Sequence, residues 1–106
     1  MADTDITLFG RFSEPALLIL VSLAGGPKHG YAMMEDIATF GRVRLGAGTL
    51  YGALTRLEER GLVETVSSED RRRPYRLTSA GATVLQAQLD VLGGCVTVGR
   101  QRLALS

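Results

Sequence analysis

GTLYGALTRLEERGLV, residues 48–63, decides how the rest of the chain reads. Leu50, Leu54 and Leu57 recur at i, i+4 and i+7, the spacing of a core-facing helical stripe. Advancing about 100° per residue from Leu50 places Gly48, Gly52, Thr55 and Glu59 opposite the leucines, with Tyr51 and Arg56 at the flanks. Each glycine costs a helix roughly 1 kcal/mol relative to alanine. The stretch therefore predicts either a frayed surface helix or a face kept flat for something to lie against. Gly61, at the position after the helix, is its stop.

Upstream, Ser13 as N-cap and Pro15 in the first turn open a helix over PALLILVSLA that ends at Gly25 and Gly26. It is apolar almost all round, which predicts a place inside a bundle. A second helix opens after Pro27 and closes at Gly41, with Met33, Met34, Ile37 and Phe40 at helical spacing. Downstream of Gly61 the period shifts towards 2. LVETV and YRLT read as two short strands around SSEDRRRP, a hairpin with a protruding loop. Thr78 then caps a last helix, in which Leu85, Leu89, Leu92, Val96, Gly99 and Leu103 are separated by 4, 3, 4, 3 and 4. This heptad seam predicts self-association, although Gly93 and Gly94 in its middle can break the helix.

The chain has 106 residues, 45% of them hydrophobic, enough for one domain with a modest core. Its longest apolar run, ALLILV, falls far short of the eighteen or so residues of a membrane span, and MADTDITLFG carries acids where a secretory signal is basic. The single cysteine, Cys95, fits a reducing compartment. These features point to a cytoplasmic protein without membrane contact. The net charge of +1 is unevenly divided: residues 42–76 hold eight basic and five acidic side chains, so positive charge gathers around the glycine-bearing helix and the loop after it.

Helix, helix, short link, helix with an odd outer face, then a hairpin with an arginine-rich loop is the element order of a winged helix-turn-helix, mainly α with a small β-hairpin. In that architecture the third helix enters the DNA major groove and the hairpin loop follows the adjacent backbone. At these residues the sequence resembles the PadR family of bacterial transcriptional regulators, in its short form with a single C-terminal helix. LLILVSLAGGPKHGYAMMEDI is similar to that family's helix-to-helix junction, GTLYGALTRLEERGLV to its recognition helix, and DRRRPYRLTSAG to its wing and the start of its last helix. Gly52 stands where the family often has proline, and the chain has no tryptophan on its last helix to stack on flat ligands. The resemblance implies a homodimer held by the C-terminal helices, with help from an N-terminal segment in which Ile6, Leu8, Phe9 and Phe12 await burial. Two units are expected: a DNA-binding domain with its N-terminal extension over 1–80, and a dimerisation helix over 81–106.

Candidate DNA-binding residues follow from this placement. Arg71, Arg72 and Arg73 at the wing tip can pair with phosphates. Thr49 and Tyr51 lie in the first turns of the recognition helix, and Lys28, His29 and Gly30 open the second helix, where backbone N–H groups also favour a phosphate. Gly52, Thr55 and Arg56 complete the outer face. Leu85, Leu89, Leu92, Val96 and Leu103 are the expected dimer contacts, and Phe9, Phe12 and Cys95 the candidate lining of a pocket for a small apolar or aromatic effector between the last helices and the first.

Catalytic chemistry finds little support. One histidine and one cysteine, 66 positions apart, make no metal cluster. GAGTLYG has Tyr51 where a G-x-G-x-x-G loop needs glycine, and Glu58 and Glu59 point about 100° apart on a helix. No cofactor is expected. The expected function is a sequence-specific, DNA-binding repressor acting as a homodimer on an inverted repeat. The alternative is a winged-helix protein-interaction module that does not bind DNA.

Overall fold

The structure, a computed structural model, describes residues 14–66 and 73–105. The elements run α1 (Pro15–Ala24), α2 (Gly30–Gly41), α3 (Ala47–Glu59), β1 (Val63–Thr65), β2 (Tyr75–Leu77) and α4 (Ser79–Leu105). Helix α1 is the centre of the core: Leu18, Ile19, Leu20 and Leu23 are buried, and it packs on α2, α3, α4 and β2. Helix α2 contributes Met33 and Ile37, and α3 contributes Leu50, Ala53, Leu54 and Leu57. The apolar stripe of the opening stretch is thus seated on α1 and α2, while Thr55 and Glu59 on its far side are exposed.

Two expectations change in detail. The N-cap of α1 is Glu14, with Pro15 at the first helical position and no side-chain cap bond; Ser13 lies outside the described residues. Phe40, at helical spacing with Met33 and Ile37, lies in the last turn of α2 and is 42% exposed, whereas those two are fully buried.

Gly61, at φ 74°, ends α3 in the left-handed region that a side chain disfavours, and turns the chain into β1. The strands pair antiparallel as Val63↔Leu77, Glu64↔Arg76 and Thr65↔Tyr75, and Arg76 Nε donates to Glu64 Oε2 at 2.7 Å across the register. A third short pairing extends the hairpin. The N–H of Lys28 donates to the Tyr75 carbonyl at 3.0 Å and the N–H of Tyr75 to the Lys28 carbonyl at 2.9 Å, which fastens the base of the wing to the entrance of α2.

Thr78 is the N-cap expected of α4. Its Oγ1 accepts the Gly81 N–H at 3.0 Å, and its hydroxyl donates to the Gly61 carbonyl at 2.7 Å. Helix α4 then runs 27 residues without interruption, so Gly93 and Gly94 do not break it. At 1.5 Å per residue it is about 40 Å long, yet its buried residues, Gly81 and Leu85, are confined to its first two turns.

Candidate nucleic-acid interface

The bridge between Lys28 and Tyr75 gathers three elements around one cleft of about 350 Å³. His29, Gly30 and Tyr31 come from the start of α2, Tyr51 from α3, and Thr65, Arg73 and Tyr75 from the hairpin. The phenol of Tyr51 lies across Gly30, while the residue as a whole is 45% exposed. His29 is the N-cap of α2 and makes no side-chain cap bond, which leaves the first N–H groups of that helix to an outside acceptor. Its Nδ1 is buried and has no hydrogen-bond partner among the described residues. Burial pushes the Tyr75 phenol above its usual titration range, so it remains a neutral donor at physiological pH.

Helix α3 likewise begins without a side-chain cap, at Gly46. On its outer face an added Cβ at Gly48 would meet nothing within 4 Å, and one at Gly52 would meet only the Arg56 guanidinium, 3.7 Å away. Neither glycine is therefore required by packing within the protomer. Thr49, Thr55 and Arg56 are exposed on the same helix. The Thr55 hydroxyl donates to the Tyr51 carbonyl at 2.9 Å. The result is a helix with a thin outer face beside a cleft that presents hydrogen-bond donors and a guanidinium.

Of the candidate DNA contacts, His29, Gly30, Tyr51 and Arg73 meet in the cleft, and Thr49, Gly52, Thr55 and Arg56 share α3 beside it. Two change role. Lys28 turns inward: its Nζ donates to the carbonyls of Ser22 and Gly26 and lies 3.9 Å from Asp36 Oδ2, so its charge satisfies the C-terminal end of α1 and is not free for a phosphate. Gly30 is buried beneath the Tyr51 phenol. Arg71 and Arg72 lie outside the described residues. Tyr31, Thr65 and Tyr75 were not expected in the site. Tyr31 is adjacent to His29 and Gly30 in the same motif, but only the bridge to Lys28 brings Thr65 and Tyr75 there.

Nearby, Arg44 forms a fork on Glu35, with Nη1–Oε2 at 2.8 Å and Nη2–Oε1 at 3.4 Å. Hydrogen bonding from that guanidinium holds the Glu35 carboxyl below its usual range. The acid on α2 nearest Tyr31 is thereby matched by a cation.

The sequence pattern of the transcriptional regulator PadR-like family matches residues 19–87, more than half of the chain. The chain belongs to that family. Among solved structures, it is similar to a PadR family transcription regulator from Clostridium difficile, with a TM-score of 0.75 and 26% identity over 84% of this chain and 97% of that one. It is also similar to a PadR-like transcription factor from Bacteroides fragilis, with a TM-score of 0.64 and 26% identity over 88% of this chain and 96% of that one. An uncharacterized 37.1 kDa protein in transposon TN4556 of Streptomyces fradiae is 44% identical over 78 residues, which are 74% of this chain and 23% of that protein. The chain thus spans about a quarter of that curated relative. The family is one of transcriptional regulators, and the fold is a winged helix in which α2 and α3 form the helix-turn-helix and β1 and β2 the wing. Among the described residues no group of His, Cys, Asp and Glu could hold a metal ion, and no helix is long and apolar enough to cross a membrane.

Along the PadR C-terminal helix the expected seam divides. Leu85 is 5% exposed and belongs to the protomer's own core, because the first two turns of α4 lie against α1; it is not available to a second subunit. Leu89, Val96 and Leu103 are exposed. The heptad count overlooks a second stripe at sevens, Val84, Val91, Val98 and Leu105, all exposed. Part of it borders a groove of about 480 Å³ in which Val84, Val91, Leu92 and Cys95 face Ala16, Leu17 and Leu20 of α1. Cys95 is therefore on the groove between the last helix and the first, whereas Phe9 and Phe12 lie outside the described residues.

Proposed function

We propose that this PadR-like protein is a cytoplasmic homodimeric repressor that binds double-stranded DNA at an inverted repeat, with α3 in the major groove and the wing along the flanking backbone. The observation that carries the reading is the pairing of two surfaces on one side of the fold. The outer face of α3 is thin at Gly48 and Gly52 for no reason internal to the protomer, and the adjacent cleft sets uncapped helix N–H groups beside Arg73. Thr55 and Arg56 are the base-reading candidates, and Thr49, His29, Tyr51 and Arg71–Arg73 the phosphate-binding ones. The exposed stripes of α4 support a second copy as the dimer partner, with residues 1–80 as the DNA-binding unit and 81–106 as the dimerisation helix. The groove that includes Cys95, with Phe9 and Phe12 brought to it, is the place for a small apolar or aromatic effector. Such a ligand acts only if it binds the DNA-competent and incompetent forms unequally.

Binding to a random-sequence duplex at several salt concentrations tests the reading. The wild type should lose affinity steeply with salt, and Arg73→Ala should weaken binding to every sequence alike and flatten the log–log slope by about 0.9 for one lost phosphate contact. A wild-type protein with no salt-dependent retention on duplex DNA overturns the reading in favour of a protein-interaction module.

A further inference from the structure

We propose that Gly30 is a positioning residue for nucleic-acid binding: its missing side chain is the socket that holds the Tyr51 hydroxyl over the first turn of α2. The inference rests on the DNA-binding reading above and names what holds one of its contacts in place.

A Cβ built on Gly30 would stand 2.6 Å from Tyr51 Cζ and 3.1 Å from Cε1, and would overlap the hydroxyl oxygen. No side chain fits there while Tyr51 keeps its position. The backbone itself makes no such demand. The positive-φ glycines among the described residues are Gly26 and Gly61, so Gly30 has a conformation open to any residue, and at a helix start alanine is the better former. The close approach of Tyr51 is thus the reason the structure gives for glycine at this position.

Tyr51 in turn has little else to hold it. It is 45% exposed, and its neighbours Leu50 and Leu54, not Tyr51, face the core. With its ring end lodged against Gly30, the hydroxyl is kept among the cleft's other polar groups: the N–H groups of α2 that no side chain caps, the His29 ring, and Arg73 on the hairpin side. Donors from three elements then converge on one cleft, where a phosphate group of the duplex backbone can accept from them. A tyrosine already seated loses no torsional freedom when the phosphate arrives, which is where its contribution to affinity arises.

A methyl group at Gly30 displaces Tyr51 without harming the core, because the far end of a half-exposed side chain can swing outward. Folding and binding should therefore separate. Four proteins, Gly30→Ala, Tyr51→Phe, Tyr51→Ala and Gly30→Ala/Tyr51→Ala, are compared with wild type for thermal stability and for binding to a fluorescently labelled random-sequence duplex at low salt. Gly30→Ala should melt at or above the wild-type temperature and bind about tenfold more weakly, the scale of one hydrogen bond to a charged group. Tyr51→Phe should lose a comparable amount, and adding Gly30→Ala to Tyr51→Ala should change nothing more, because the residue acts through that side chain. In the free protein, the Tyr51 ring resonances should move in Gly30→Ala.

Wild-type affinity in Gly30→Ala or in Tyr51→Phe, or losses that multiply in the double variant, would overturn the proposal while leaving DNA binding intact. If Gly30→Ala does not fold, the displacement of Tyr51 is not the tolerated one argued here and the proposal likewise falls. A wild type that binds no duplex refutes the underlying reading instead.

Discussion

Four glycines that look alike in the sequence do different work. Gly48 and Gly52 face open space, Gly30 lies under Tyr51, and Gly81 lies against the Leu62 carbonyl, where a Cβ would come within 2.8 Å of Leu77 Cδ1. Substitutions should sort accordingly. Gly52→Leu meets no obstacle but the mobile end of Arg56 and should raise stability by roughly 1 kcal/mol or slightly less, from helix propensity alone. It should at the same time hold α3 away from the floor of the groove and reduce DNA affinity. Thermal melting and duplex binding on the same sample check both halves; a Gly52→Leu protein that binds DNA as well as wild type shows that this face is not seated against it. Lys28 illustrates the opposite case. Its place before a helix N-terminus suggests a phosphate ligand, but its ammonium instead donates to the carbonyls of Ser22 and Gly26 at the end of α1.

Among the elements, α4 depends most on its first turn. Thr78 caps it and also reaches the Gly61 carbonyl, joining the end of α3 to the start of α4 through one hydroxyl. Thr78→Ala should cost about 1 to 2 kcal/mol, because it removes the cap and leaves the Gly61 carbonyl without its side-chain donor. An unfolding free energy from urea titration within a few tenths of a kcal/mol of wild type would show that water replaces both bonds. The wing is the converse case, an element positioned by main chain. Its strands are three residues each, and the bridge from Tyr75 to Lys28 aligns Arg73 with α2 without any side chain being specific to the task.

For the whole molecule, what matters is an apolar surface that one chain does not bury. Leu89, Val91, Val96, Val98, Leu103 and Leu105 are exposed along a helix that leaves its own core after Leu85, and Gly93 and Gly94 weaken that helix further by roughly 1 kcal/mol each. A second copy that covers the stripes would stabilise both the surface and the helix. Leu92→Glu places a charge where the α4 stripe meets the groove with α1, and it should shift the protein from dimer to monomer in analytical ultracentrifugation. A monomeric wild type, or an unaltered dimer in Leu92→Glu, would remove α4 from the interface.

Local order is what the sequence determined by itself. Period 3.6 with glycine exits marked α1, α2 and α3, the first two with proline entries as well; period 2 around a polar loop marked the hairpin; and Thr78 marked the start of α4. These signals are legible because they express interactions within a few residues along the chain. The winged-helix order and the outer face of α3 were readable for the same reason. The cleft was not. It exists because Lys28 and Tyr75, 47 positions apart, exchange backbone hydrogen bonds, and main-chain pairing of that kind leaves no mark in side-chain type. The division of the α4 seam was also decided in three dimensions. Leu85 and Leu89 both stand in the seam, yet the protomer's core closes over the first and leaves the second exposed, so one is core and the other is surface. Periodicity specifies which residues share a face; only packing decides how far along that face the rest of the molecule extends.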